Sequence, residues 1–532
     1  MTKLFFLCIT LMLTNVAYSQ ENHAKKLDEL FTFYQQQNLF NGSVLVARKG
    51  QILLNKGFGQ ADVATKKDNS SKGIFQIYSI TKTFTATVIL KLMEEKKLSL
   101  SDKLSKFYPD FPKGDSITIE HLLTHTSGIY DFTRGNTMAD QTEKSFVDFH
   151  KTKPLDFPVG TDWSYSNSGY YFLGYIIEKT TGMSYEAAVA KYIFKPLKMK
   201  QSGFAFKFLK NKEKTIGYQT FTEKKQTIAT VYDPPGPYAA GGIYSTVEDL
   251  YKYHKGLNAY KIISKTTLEK AYTAFKSNYG YGWVVLPIFD KKTVGHSGAG
   301  AGFRSQLVQV PENDVAIILL TNTERDLNNA VSAVLKVLYD KPYKIPVIIN
   351  ANKAELQQYV GTYQVNPNFT IYVTMENGKL VSQPANQPKG FLYPEKQNLF
   401  YVEELAGYIH FEKNKAQQID TLIFNKEGQD VKAKRIFPSW GIVGGATASG
   451  WDGPDQKLVE TSTKDIWEIK NIELKEGEFK FRFNDDWTRN LGQYGSDGII
   501  SDGNNFQTKS GVFDIILDLS DEDKLIYKLI KH

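Results

Sequence analysis

Apolar positions in this chain change their period several times, and each change marks an element. After Ser79, the residues Phe84, Val88 and Leu92 recur at four-residue spacing, which predicts a buried amphipathic helix whose first turn carries the serine. Upstream, Gly42–Ala47 and Gln51–Asn55, with Lys49-Gly50 between them, predict a β-hairpin. Ile117–Ile129 predicts a short helix capped at Gly128, and Tyr170–Thr180 a longer one preceded by a Gly- and Pro-spaced loop from Asp156. Lys292–Gly298, Phe303–Val310 and Val315–Leu320 predict three strands. Pattern is lost from Lys341 to Lys353, which reads as a linker. Residues 354–437 then alternate in short strands with hairpin turns such as Glu376-Asn377-Gly378-Lys379, which predicts a small antiparallel barrel or meander. The tail from Pro438 is again strand-rich, with turns at Asn484-Asp485-Asp486 and Ser501-Asp502-Gly503-Asn504.

At 532 residues the chain is long enough for two or three domains. Hydrophobic residues make up 41% and charged residues 23%, the balance of a soluble globular protein rather than a disordered one. The net charge of +8 is spread through interspersed Lys and Glu, so no nucleic-acid partner is expected. The start, with Met1-Thr2-Lys3, an apolar run from Leu4 to Leu13 and then Ala17-Tyr18-Ser19-Gln20, reads as a secretory signal peptide over residues 1–20. That run is too short to span a bilayer comfortably, and no transmembrane segment is expected elsewhere. The single cysteine, Cys8, lies inside the run. The mature chain would then lack cysteine, which excludes disulfides and thiol chemistry, and its expected address is periplasmic or extracellular.

Candidate chemistry begins with Ser79-Ile80-Thr81-Lys82, the only S-x-x-K in the chain. One helical turn separates the two side chains, and a hydroxyl three residues before an amine is within its reach. A serine hydroxyl is a poor nucleophile until a neighbouring base takes its proton, which is what this spacing supplies. Tyr165-Ser166-Asn167 is the only Y-x-N, and His296-Ser297-Gly298 lies on the first of the three predicted strands. His121 and His125 sit four apart, but with no third ligand nearby and no H-E-x-x-H, internal hydrogen bonds are expected rather than a metal. Gly298, Gly300 and Gly302 superficially suggest a nucleotide loop. No helix begins there, so the glycines read as a strand that another backbone approaches closely, as a bound acyl substrate needs.

Ser79-Ile80-Thr81-Lys82, Tyr165-Ser166-Asn167 and His296-Ser297-Gly298 stand in this order, with His121-Leu122-Leu123-Thr124-His125-Thr126-Ser127-Gly128 between the first two. Together they resemble the serine β-lactamase and penicillin-binding-protein superfamily, and within it the class C-like branch of family VIII esterases and D-stereospecific peptidases, over roughly residues 25 to 340. The resemblance implies an α+β catalytic domain, an antiparallel sheet flanked by helices with a helical domain packed against it, followed here by two all-β domains. It implies that Ser79 is acylated, that Lys82 and Tyr165 share the task of accepting its proton, and that the backbone N–H groups of Ser79 and Ala299 hold the oxyanion. Asn167 would bind the substrate amide or support Lys82, and His296, Ser297 and Gly298 would bind substrate. No cofactor is implied. A neutral Lys82 at pH 7 requires its pKa to fall by about three units, worth ~4 kcal/mol. Many β-lactamases of the family carry lysine where this chain has His296, and a neutral imidazole binds a carboxylate less well. That departure favours an esterase or peptidase acting on a small molecule or peptide, with a penicillin-recognising enzyme as the alternative.

On the same footing, residues 21–340 would form the hydrolase domain and residues 354–437 a lipocalin-like β-domain. Residues 438–532 would form a sandwich, because Trp440–Thr447, Gly450-Trp451-Asp452 and Gly477–Arg482 look similar to SusE and SusF, starch-binding outer-membrane proteins. A polysaccharide partner would follow, with Trp487 near Arg489 as the stacking site. A surface glycan-binding protein with a vestigial hydrolase domain is therefore a further alternative.

Overall fold

Val315-Ala316-Ile317-Ile318-Leu319-Leu320-Thr321 is buried at every position, and the sheet around it explains why. In the computed structural model, which describes residues 22–135, 142–222, 224–231 and 236–532 apart from 367, 377, 406, 427–428, 438, 464, 496–497 and 522–524, this strand lies inside a six-stranded antiparallel sheet. The expected signal peptide, Cys8, Asn377 of one expected turn and Pro438 fall outside the described residues. The chain divides into two compact units, Met1–Ile345 and Pro346–His532.

The strands of the first unit are β1 (Gly42–Arg48), β2 (Gln51–Phe58), β3 (Val284–Ile288), β4 (Lys291–Gly300), β5 (Phe303–Val310) and β6 (Val315–Thr321), in the spatial order β2-β1-β6-β5-β4-β3. Along β6, Ala316, Ile318 and Leu320 join the core shared with the helices around the site. Val315, Ile317 and Leu319 are equally buried and point to the other face, as the two-residue period of a strand requires. A helix over residues 22–36 packs Phe31 against Phe58 of β2 with ring centroids 5.6 Å apart. The β1–β2 hairpin forms as expected, because Lys49 and Gly50 both take positive φ at 52° and 76°.

The helical part holds α1 (Thr81–Glu94), α2 (Ile119–Leu123), α3 (Asn167–Thr181) and the single turn α4 (Tyr238–Gly241). The expectation of an amphipathic α1 is corrected: eleven of its fourteen residues are buried, so it has almost no solvent face. Its β-branched sequence is a poor intrinsic helix former, and packing holds it. Phe84 stacks on Tyr253 at 4.0 Å. The threonine hydroxyls bond back to the preceding turn or to buried tyrosines, as Thr87 does with Thr83 O and Tyr253 at 2.8 Å each. The helix α2 ends at Leu123 rather than at Gly128, since its Thr118–His121 capping box starts a turn that His125, at φ 60°, cannot continue. By contrast α3 starts where the sequence places it, with the Ser166 hydroxyl accepting the Gly169 N–H and Gly182 closing it at φ 67°.

The second unit opens with a closed eight-stranded antiparallel barrel over residues 361–436, whose first and last strands pair at Tyr363 and Arg435. Tyr363, Ile371, Leu380, Phe400, Phe411 and Leu422 fill it. Two further antiparallel sheets follow, sharing a core of Phe479, Phe481, Phe506, Ile515 and Leu517. Trp440 and Trp467 belong to that core, whereas Trp487 is 43% exposed. The expected partner of Trp487 is corrected. The Arg489 guanidinium lies over Phe483 and Trp440, and it is Arg482 that lies 4.8 Å from the Trp487 ring centroid.

Candidate active site

The chain reaches Ser79 through a left-handed residue, Tyr78 at φ 43°, which opens a 3₁₀ turn, Tyr78–Ile80, that runs into α1. The hydroxyl is thereby set at the head of a buried helix and faces a pocket of about 710 Å³. The strand β4 lies directly against this turn. A Cβ on Gly298 would stand 2.0 Å from Ile77 O, and one on Gly300 would stand 2.2 Å from the Tyr78 ring. The Ser305 hydroxyl on β5 donates to Ile77 O at 2.8 Å. The close backbone approach expected of these glycines is thus an approach of the protein to itself, and it brings Ala299 and Ser79 to one wall of the pocket.

Lys82 is fully buried, and three oxygen atoms surround its amine. Its Nζ lies 2.8 Å from Asn167 Oδ1, 2.8 Å from Ala240 O of α4 and 3.2 Å from Ser79 Oγ. The two carbonyl oxygens can only accept, so they take two N–H groups. A neutral amine then has its lone pair left for the Ser79 hydroxyl. Burial lowers the Lys82 pKa from 10.5 to about 7, against the opposing charge of Asp131. Of the two roles open to Asn167, the geometry supplies support for Lys82: its Oδ1 accepts from the amine and its Nδ2 donates to Asp131 Oδ2 at 3.1 Å.

Tyr165 closes the other side of Lys82, whose Nζ is 4.8 Å from the ring centroid. Burial raises the Tyr165 pKa, partly offset by its hydrogen bond with Ser79, so it remains a phenol at neutral pH. Lys82 and Tyr165 therefore differ in the state they hold, the one shedding its proton near pH 7 and the other keeping it. On β4, His296 Nδ1 lies 2.6 Å from Ser297 O and Nε2 lies 3.0 Å from the Tyr279 hydroxyl. The carbonyl fixes the proton on Nδ1, leaving Nε2 to accept from Tyr279. Burial, then the Lys82 charge, push the His296 pKa down to about 3, so the ring is uncharged throughout the neutral range. Ser297 lines the pocket together with Trp163, Phe132, Tyr171 and Tyr279.

Three contributors escaped the sequence reading. Asp131 orients Asn167 from a position with no motif around it, the Ala240 carbonyl acts through its backbone, and the Tyr279 hydroxyl occupies His296 Nε2.

The family model described as beta-lactamase matches residues 23–338. The chain belongs to the beta-lactamase family. Within it, penicillin-binding protein 4* of Bacillus subtilis is 29% identical over 452 residues, which cover 78% of this chain and 99% of that protein. The putative penicillin-binding protein PbpX of the same organism is 33% identical over 317 residues, covering 59% and 78%. Among solved structures, the octameric penicillin-binding protein homologue from Pyrococcus abyssi superposes with a TM-score of 0.57 at 26% identity, covering 77% of this chain and 98% of that one. A share of that size extends beyond the catalytic unit. As a beta-lactamase-family chain, the protein is a hydrolase of the serine β-lactamase and penicillin-binding-protein kind.

Proposed function

We propose that this is an exported serine hydrolase that opens ester or amide bonds through a Ser79 acyl-enzyme, of the esterase or D-peptidase type. One observation carries the reading: the buried Lys82 Nζ lies 3.2 Å from Ser79 Oγ and 2.8 Å from each of two carbonyl oxygens, so that an amine giving its two N–H groups to the carbonyls has its lone pair free for the Ser79 hydroxyl. Ser79 Oγ attacks the carbonyl carbon as its proton passes to Lys82 Nζ. The oxyanion is held by the N–H groups of Ser79 and Ala299, donors of a kind worth about 3 kcal/mol each. The Tyr165 phenol relays a proton from Lys82 to the leaving group, and water then releases the acyl group with Lys82 again accepting a proton.

The pocket supports an uncharged acyl group. Among the described residues that line it there is no Asp, Glu, Lys or Arg, and His296 is neutral. A substrate carboxylate would enter this site without a cation to pair with. Intact-protein mass spectrometry after brief exposure to a fluorophosphonate, a p-nitrophenyl ester and a penicillin tests the reading, with Ser79→Ala as control. The expected result is a Ser79 adduct from the first two. A dominant penicillin adduct would favour the penicillin-recognising alternative, which the likeness to penicillin-binding protein 4* supports. No adduct from any reagent would sink the acyl-enzyme.

A second reading concerns the tail. Trp451 and Trp487 lie 5.9 Å apart, and Arg482, paired with buried Asp455 at 2.6 Å, lies against Trp487. This cluster supports a sugar-stacking platform beside a working hydrolase, in place of a vestigial one. Retention of the full chain on a polysaccharide affinity gel, lost in Trp487→Ala, is the expected outcome. Equal migration of both proteins with and without polysaccharide would remove the reading.

A further inference from the structure

The segment His125-Thr126-Ser127-Gly128 has no part in the chemistry above, yet it is buried and strained. His125 takes φ 60° and Gly128 φ 71°, and left-handed backbone at a histidine costs of order 1 kcal/mol or more. The loop that carries Tyr165 is laid along this segment by four hydrogen bonds, and in all four the loop supplies a backbone N–H. Asp156 donates to Gly128 O at 2.7 Å, Gly160 to Thr126 O at 2.8 Å and Ser164 to His125 O at 3.1 Å. Ser166 donates to His125 Nδ1 at 3.1 Å. A Cβ on Gly128 would stand 2.3 Å from Phe157 O, so the glycine is also what lets the loop close on the segment.

His125 therefore grips the chain on both sides of Tyr165, by its carbonyl one residue before and by its imidazole one residue after. Its ring also packs on the Tyr165 ring, with centroids 4.4 Å apart. Because Nδ1 accepts a backbone N–H, the proton of the neutral ring sits on Nε2. Burial and the neighbouring Lys82 and His296 keep the ring neutral, so the acceptor at Nδ1 persists.

We propose that His125 is the positioning residue of Tyr165, clamping its backbone at Ser164 and Ser166 so that the phenol stays beside Ser79 and Lys82. The proposal rests on the acyl-enzyme reading, and its test separates the two. Two variants are compared with the wild type in full-length protein, and every rate is divided by the concentration of Ser79 titrated to completion with fluorophosphonate. His125→Phe keeps a ring against Tyr165 but has no acceptor for the Ser166 N–H. His125→Asn tolerates the left-handed backbone and supplies a carbonyl oxygen in place of Nδ1. For a p-nitrophenyl ester, His125→Phe is expected to lower kcat 10- to 100-fold with KM within about threefold, and His125→Asn to recover at least threefold of that loss. Should His125→Phe fail to fold, His125→Leu, which also lacks the acceptor, takes its place. Titrated kcat within twofold of wild type in the folded variant that lacks the acceptor would overturn the proposal, leaving His125 a residue of the fold alone. Failure of the wild-type chain to form any Ser79 adduct would overturn the acyl-enzyme reading instead.

Discussion

Gly298 on β4 and Ile77 beside the nucleophile touch so closely that a methyl group on the glycine would stand 2.0 Å from the Ile77 carbonyl oxygen. Backbone cannot yield by that much without moving the strand. Gly298→Ala is therefore expected to push β4 and the Ala299 N–H away from Ser79. Losing one oxyanion donor costs roughly 10²–10³ in kcat, and that fall, with the protein still folded by circular dichroism, is the expected result. A kcat within tenfold of wild type would place the oxyanion elsewhere.

Lys82 sets the acid limb. With its pKa at about 7, kcat/KM is expected to rise through that pH as the amine loses its proton. The same shift acts on stability with a definite sign. The unfolded chain binds this proton more tightly, so the group's penalty is full below pH 7 and fades as pH rises towards 10.5. The magnitude is ~5 kcal/mol, and stranding the Asn167 and Ala240 carbonyls offsets part of it. Lys82→Met should thus be inactive yet unfold no earlier than wild type at pH 6, with its relative stability declining towards pH 10. Denaturant melts at the two pH values measure this.

Asp131 opposes the burial that neutralises Lys82. Asp131→Asn removes that charge while leaving a carbonyl for the Asn167 amide. The acid limb is expected to move down by about half to one pH unit. An unchanged or raised midpoint in the pH profile of ester hydrolysis would contradict the assignment of that limb to Lys82.

His296→Lys places an ammonium on the pocket wall where a neutral imidazole now stands. Acylation by penicillins is expected to accelerate relative to acylation by neutral esters, by about tenfold or more. The ratio of the two rates, measured on the same preparation, is the readout. No change in it would show that carboxylate recognition does not pass through this position.

What the sequence revealed and what it hid divide along contact range. The hairpin at Lys49-Gly50, the three strands around His296 and the start of α3 at Ser166 are each set by neighbours a few residues away, and all three were legible. The three motifs were legible because the serine–lysine spacing is a single turn. Asp131 and Ala240 were not, because they reach Asn167 and Lys82, respectively, across 36 and 158 positions of chain. The tail makes the same point. Arg489 is two residues from Trp487, but Arg482, on the preceding strand, is the one that meets it, because a register shift between Arg482 and Phe483 decides which side chains face each other.

The four hydrogen bonds that lay the Tyr165 loop on His125–Gly128 all leave from main-chain N–H groups of that loop. Side chains add to that hold at particular points: Asp156 pairs with Arg134 at 2.8 Å, the Ser166 hydroxyl donates to Ile129 O at 3.2 Å, and the Trp163 and Tyr165 rings lie 6.0 and 4.4 Å from the His125 ring. Exposed Asp162 lies outside these contacts and can be rewritten without loosening the tyrosine. One fixed segment of four residues thus holds the loop through its main chain while the loop's exposed edge stays free to vary, which is a route by which a single catalytic frame acquires different substrates.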